Sequence, residues 1–415
     1  MSSMKGNGPP MSTTLTPKSP RRTANSAHHL PTSEGLQALA ALARSHTVAE
    51  IEQLVSQGKS AIWGGNSWEA PLIRSCDTIP IGIHELWRED SLHAEAVAEN
   101  YHQIPSEFCS MIKAIAGRLH LRRNNAIKRV LYFGSTCEPI SMVFEFAQND
   151  GYELFCIDAA TAFKASECRE ELVKYLVHEL ERVAIWLTGK PVDLDRVREE
   201  LKLRNKVNAK MRQLLNLRLH NPLYLRAGPT GQLLAASSHY YGDPDRFLAI
   251  LDQLIGELES APLQTPTQAV IPLVLAGGFA SGPRLLQIVE ESRGAIVGWA
   301  THGTSDFRED IPPLESIAHY LFEAQVKGEL GEVAGASAIY RKTGIEQLVR
   351  QTNARGILSA SVTGCPYGSV VQGLERDYFK KQGIPMVALE HNVHAEEAPT
   401  EEQITKIKTF IEMLS

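Results

Sequence analysis

From Gly35 onward the chain alternates two rhythms: short apolar runs rich in β-branched residues, and longer stretches with apolar residues three and four positions apart. The short runs predict strands at Ala126–Phe133, Tyr152–Ile157, Val270–Ala276, Ala295–Trp299, Gly356–Ala360 and Pro385–Glu390. Helical periods separate them, which is the pattern of parallel βαβ units. A charged, helix-favouring stretch from Lys164 to Leu219, with a second helix near Asp245 to Leu258, divides the first two strands from the last four.

The expected fold class is therefore α/β, with two Rossmann/flavodoxin-like lobes built on parallel sheets plus a helical N-terminal portion. Gly228, Pro229, Gly242, Pro244, Pro262 and Pro266 punctuate the chain near its middle and place the division there. The expected domains are a tail over 1–34, the helical portion with the first lobe over 35–235, and the second lobe over 236–415. Residues 1 to 33 hold Lys5, Lys18, Arg21 and Arg22, no acidic residue and many Ser, Thr and Pro, the composition of a disordered tail. A transit peptide shares that bias, but regular amphipathic spacing is missing.

Composition narrows the function classes. A net charge of -6, from 42 Lys+Arg against 48 Asp+Glu, supplies no field to hold a nucleic acid. The longest nearly apolar run, Ala269 to Ala280, contains Pro272, Gly277 and Gly278 and falls well short of the roughly 20 residues of a spanning helix. No membrane segment is expected. Six cysteines in 415 residues are too sparse for a disulfide scaffold, and no signal segment opens the chain, so the thiols read as reduced and cytoplasmic.

Two of those cysteines sit in an internal echo. Val130-Leu-Tyr-Phe-Gly-Ser-Thr-Cys137 and Ile357-Leu-Ser-Ala-Ser-Val-Thr-Gly-Cys365 each run from an apolar strand through a small polar turn to a cysteine, and a helical pattern follows each. The carboxyl edge of a parallel sheet is where open α/β folds bind ligands. Cys109 reaches a helix start by another route: in Ile104-Pro-Ser-Glu-Phe-Cys109, Ser106 is a natural N-cap, which puts Cys109 at N3. Helix-terminal amides favour thiolates, and three such thiolates suit a soft metal. Against this, free cysteine is commonly a buried packing residue, and the separations of these three match no compact metal motif. Cys156 reads as a mid-strand core residue, Cys168 sits in a charged helix, and Cys76 precedes Asp77 in a segment of no clear type.

These residues resemble a family, the 2-hydroxyacyl-CoA dehydratases (D-component type), which share their fold with the ATP-dependent benzoyl-CoA reductases and the double-cubane cluster proteins. The likeness is carried by Thr363-Gly-Cys-Pro-Tyr-Gly368 with the following Leu374 to Glu390, by Phe108-Cys-Ser110, by Gly134-Ser-Thr-Cys137, and by Ala276-Gly-Gly-Phe-Ala280 with Ile288 to Ala295. The resemblance implies that Cys109, Cys137 and Cys365 ligate an oxygen-sensitive 4Fe-4S cluster with one iron open to a substrate oxygen, a small ligand or a bridging sulfide. It implies a lyase or oxidoreductase acting on a CoA thioester. In the dehydratases an electron reduces the thioester carbonyl to a ketyl radical, which expels the hydroxyl and returns the electron. It also implies a separate ATP-hydrolysing Fe-S activator, and this chain shows no GxxxxGK[ST] loop of its own. A second chain of the same fold, identical or related, would complete a homodimer or heterodimer. Three alternatives remain: a double-cubane reductase of small molecules, with an 8Fe cluster shared across a dimer, a non-catalytic Fe-S electron carrier, and an α/β small-molecule binder with no cluster.

The sequence departs from the family where Trp68-Glu-Ala-Pro71 leads into Ser75-Cys-Asp77 in place of an acidic Pro-x-Glu segment, so that Cys76 is either an adventitious thiol or an extra ligand. Glu390-His-Asn392 differs from a more acidic family ending. Gly277, Gly278 and Gly282 mark either a phosphate- or sulfur-binding turn or a tight strand-to-helix turn. His239 and His302 are loop histidines that could donate protons or simply pack. His391 and His394, just past a strand, do not share a face. Arg122, Arg123, Lys128 and Arg129 could meet CoA phosphates or an acidic partner, though a solvated loop is the better reading.

Overall fold

The structure, a computed structural model, describes residues 33–87, 90–134, 137–157, 169–261, 270–277, 283–300, 302–326, 338–393 and 399–415. The expected tail to residue 32, Cys168, Gly278, Gly282 and His394 lie outside the described residues.

The first sheet is built from β1 (Ser60–Trp63), β2 (Thr78–Ile81), β3 (Arg129–Phe133) and β4 (Glu153–Ile157), all parallel, in the order β2-β1-β3-β4. The second holds β5 (Ile271–Ala276), β6 (Gly294–Trp299), β7 (Gly356–Val362) and β8 (Met386–His391), again all parallel, in the order β6-β5-β7-β8. Renumbered within each sheet, both read 2-1-3-4. The chain reverses direction across the sheet between the first and third strands, β1 and β3 in one lobe and β5 and β7 in the other. In such folds the ligand crevice opens at the carboxyl ends of the strands beside that reversal.

Six strands match the sequence expectation within a few residues, and the two-lobed α/β class holds. β1 and β2 were not anticipated. Each is four residues long, too short for a period to register, and β2 carries Pro80. Pro80 is tolerated because β2 is an edge strand, where a missing N–H breaks no ladder.

The helices of the first part of the chain are α1 (Glu34–Arg44), α2 (Val48–Ser56), α3 (Ala70–Ser75), α4 (Ser91–Tyr101), α5 (Ser110–Leu121) and α6 (Glu138–Asn149). The charged middle stretch resolves into α7 (Arg169–Thr188) and α8 (Leu194–Arg218). Gly189, at a φ of 70°, and Pro191 break it between them, and Asp193 caps α8 by accepting the amides of Asp195 and Arg196. After these come α9 (Ala227–Ala236), α10 (Pro244–Ser260), α11 (Pro283–Glu291), α12 (Pro313–Val326), α13 (Ala338–Thr352), α14 (Pro366–Lys381) and α15 (Glu401–Met413).

Residues 33–415 form one compact unit. Ile62, Leu131 and Phe133 of the first sheet share a core with Val183 and Leu201 of α7 and α8 and with Ile317 and Leu321 of α12, so a helix of the second half packs on the first sheet. α1 lies on α10: Gly35 packs on Leu254, and Ser33 and the Gly35 amide both bond to Glu257. Among the described residues, no helix is long and apolar enough to cross a membrane.

Candidate functional site

Cys109, Cys137 and Cys365 occupy the N-cap positions of α5, α6 and α14. Cys137 follows β3 and Cys365 follows β7, so the two hold equivalent places, each beside its sheet's reversal. The Cys365 sulfur accepts the Gly368 amide at 3.3 Å, as a capping side chain does, and a proline in the first turn of both α6 and α14 fixes the entry angle.

Cys109 does not stand at N3 behind a Ser106 cap. Residues 105–108 form a turn closed by the Phe108 amide on the Pro105 carbonyl, and the Ser106 carbonyl is taken by the Lys113 ammonium at 2.7 Å. Lys113 is buried and also paired to Glu95 and Glu99, at 3.0 and 2.7 Å. The helix therefore starts one residue after the cysteine.

Backbone contacts bring the Cys109 turn onto the Cys365 turn. The Ser110 amide donates to the Thr363 carbonyl at 3.2 Å, and the Val393 amide donates to Ser110 Oγ at 3.4 Å. Gly364 is required twice over. Its φ is 76°, and a Cβ there would stand 2.8 and 2.9 Å from the carbonyl oxygens of Glu107 and Phe108. The Cys109 and Cys365 side chains hydrogen-bond, and Cys137 is close enough to feel the charge of Cys365. All three rest on one apolar bed that includes Ile112, Ile140 and Val362.

Contact with Cys365, then burial, raises the Cys109 thiol's pKa; burial, then the charge of Cys365, raises that of Cys137. The helix-start amides of Ile112 and Ile140 pull the other way, as expected, but they are outweighed. Three crowded thiols that resist ionisation on their own suit a cationic, thiophilic centre, because a coordinated thiol loses its proton outright. The donor set fits an iron-sulfur cluster with three protein ligands.

The remaining candidates separate. Cys76 caps the far end of α3, just before β2 begins, and so lies at the amino edge of the sheet whose carboxyl edge leads to Cys137. Cys156 is exposed on the edge strand β4 and is not a core residue. β4 has a partner on one side only, and alternation turns Cys156 outward beside Tyr132. The basic cluster lies at the amino end of β3, with Arg122 paired to Glu52 and Arg129 to Glu153. His239 caps a short 3₁₀ turn, accepting the Tyr241 amide at 3.1 Å, and stacks on His46 with ring centroids 5.7 Å apart. His302, just beyond β6, has its pKa lowered to about 4 by burial and by His84 and Arg204, so it is neutral at pH 7. His391 ends β8, and its Nε2 is buried.

Sequence reasoning missed Glu69. It follows β1 at the carboxyl edge and is buried, and burial pushes its pKa up to about 7 against the opposing pull of nearby amides and Arg204. One carboxylate oxygen accepts the Ser67 amide at 3.3 Å, while Oε2 is buried with no hydrogen-bond partner, as is Arg204 Nη1. The preceding Trp68 packs at a tilt against Phe133, the last residue of the strand leading to Cys137, with ring centroids 5.2 Å apart. Arg204 of α8 is thus the common neighbour of an acid raised toward neutrality and a histidine kept neutral. The only sequence signal was Trp-Glu next to a Gly-Gly turn, which does not reveal burial.

No curated protein matches the sequence. The sequence model of the 2-hydroxyglutaryl-CoA dehydratase D-component family matches residues 70–414, a span holding all three helix-capping cysteines and both strand reversals' third strands, and the chain belongs to that family.

Proposed function

We propose that this chain is the cluster-bearing catalytic component of an activator-dependent dehydratase acting on a 2-hydroxyacyl-CoA thioester, with Cys109, Cys137 and Cys365 as the protein ligands of a 4Fe-4S cluster. The observation that carries this reading is the meeting of three N-cap thiols from three chain segments, two of them at equivalent places at the carboxyl edges of the two sheets. When bound, such a cluster supplies a low-potential electron and one iron without a protein ligand.

The chain's own residues supply position and protons. Gly364 lets the Cys109 and Cys365 turns touch, and the bed of Ile112, Ile140 and Val362 keeps water from beneath the thiols. Glu69, with a pKa near 7, can hold or release a proton at neutral pH, the requirement for a general acid or base. The electron comes from a separate ATP-hydrolysing iron-sulfur partner. A second chain of the same fold covers the open side of the site, against the exposed face of α14.

The test is anaerobic purification followed by iron and sulfide analysis, then titration with 2-hydroxyglutaryl-CoA while the visible spectrum is followed. About four irons per chain and a spectral change on adding the thioester are expected. Protein that is folded but iron-free after anaerobic reconstitution would end this reading. A cluster blind to acyl-CoA would point to the electron-carrier alternative.

A further inference from the structure

At the opposite edge of the first lobe, three helices end together. His102 is the C-cap of α4, His120 lies in the last turn of α5, and Asp150 is the C-cap of α6. α5 and α6 carry Cys109 and Cys137 at their other ends, and twelve residues of helix put about 18 Å between the two ends. We propose that His102, His120 and Asp150 bind one divalent ion of the zinc class, separate from the cysteine site.

Geometry carries the argument first. One ligand atom from each residue lies within 4.8 Å of the other two. His120 Nδ1 stands 3.1 and 3.0 Å from the two Asp150 oxygens, and His102 Nε2 stands 3.9 Å from Oδ2. In a tetrahedral zinc site with bonds of about 2.0–2.1 Å, ligand atoms sit about 3.3 Å apart. The set is therefore within a small side-chain adjustment of coordination.

A hydrogen bond alone accounts for His120 and Asp150 but not for His102. Its side chain is 6% exposed, and its Nε2 is buried without a hydrogen-bond partner. A buried imidazole nitrogen aimed at a carboxylate beyond hydrogen-bond range is what an ion between them would satisfy. The surroundings agree. Three helix C-termini turn their partial negative charge toward the site, which favours a cation. The rings are also fixed in place: His102 stacks on Phe146 at 4.7 Å and meets His120 edge-on at 5.3 Å, while Tyr101 lies over His120 at 3.7 Å. The Arg123 guanidinium donates to the His120 carbonyl at 2.7 Å. Two imidazoles and one carboxylate are zinc donors rather than magnesium or calcium donors, and three protein ligands leave a fourth position for water.

The close approach of α4 to α5 places the first two ligands. A Cβ at Gly117 would lie 1.7 Å from the Ala94 carbonyl oxygen, so only glycine permits it. The ion would then pin the distal ends of the two helices that present Cys109 and Cys137.

The experiment uses the full chain. Metal analysis after dialysis against micromolar zinc should give one zinc per chain in addition to iron. His102→Gln and Asp150→Asn should lose the zinc and keep the iron, whereas Cys137→Ala should lose iron and keep the zinc. Cobalt(II) added to the unsubstituted, cluster-loaded protein should give weak d–d bands without the intense thiolate band, a readout that no variant's folding can disturb. Absence of zinc from the unsubstituted protein, zinc unchanged in His102→Gln, or cobalt showing only thiolate bands would each overturn the proposal.

Discussion

The side chains of Cys109 and Cys365 hydrogen-bond to each other, although one caps a helix against the first sheet and the other follows the third strand of the second. This contact joins the two lobes at the site itself. Replacing Cys109, Cys137 or Cys365 by Ala should abolish iron binding and visible absorption, whereas Cys156→Ala, on an exposed edge strand, should leave both unchanged. Iron content per chain checks this, and full iron in any of the three variants would refute the ligand assignment.

Gly364 offers a subtler test. Gly364→Ala meets both a left-handed backbone and two carbonyl oxygens under 3 Å away, a strain of about 1–3 kcal/mol at that turn. The expected result is a folded protein with reduced and labile iron, seen as unchanged far-ultraviolet circular dichroism with faster cluster loss in air. Gly373→Ala, on the same helix with open space around it, should keep its iron and gain up to about 1 kcal/mol.

Arg341 of α13 and Glu375 of α14 form an ion pair from which water is excluded, with side chains 4% and 0% exposed. Glu375→Leu removes the carboxylate that the buried Arg341 guanidinium bonds and should cost about 3–5 kcal/mol. The double variant Arg341→Met with Glu375→Leu should recover most of that loss. Denaturant midpoints for the single and double variants measure the difference.

The legible parts of the sequence were those governed by local pattern. Four-residue strands, one of them carrying a proline, gave no period to read, so β1 and β2 escaped, and Glu69, which depends on β1 for its place, escaped with them. The Cys137 and Cys365 positions were readable because strand, small turn and cysteine repeat in both lobes. The Cys109 helix start was off by its cap, since nothing local says that Lys113 claims the Ser106 carbonyl. Cys156 looked like core because apolar neighbours reveal a strand but not that it lies at an edge. The trio at His102, His120 and Asp150 had no signal at all. It exists only because three helices end at one point.

Glu69 makes stability depend on pH in a definite direction. Its pKa rises from an ordinary 4.5 to about 7 on folding, so between those values the unfolded chain releases a proton that the folded chain keeps. Folding therefore weakens as pH climbs through that window, by about 3 kcal/mol at most, and the loss persists above it. Glu69→Gln should match the unsubstituted protein at pH 4 and be more stable at pH 8. Equal stabilities at pH 8 would show that the carboxyl ionises freely in the folded protein.

The last expectation concerns assembly. An iron without a protein ligand is attacked by water and oxygen unless it is enclosed, so a cluster held as proposed at the thiol site would need a cover on its open side. Among the described residues, Tyr367, Val370 and Leu374 stand exposed on α14, the helix that Cys365 caps, and Met142 stands exposed on α6, the helix that Cys137 caps. Positions 367, 370 and 374 share one helical face, and on the proposed function this apolar stripe, which begins two residues from Cys365, would be a surface for another chain. A second copy of the same fold, by itself the simplest partner, would bury that stripe and the cluster together. Light scattering on cluster-loaded protein should give about twice the 45.8 kDa chain mass. Val370→Glu with Leu374→Glu should yield monomer whose iron is lost quickly in air. A stable species of one chain mass with intact iron would show that a single chain shields its own cluster.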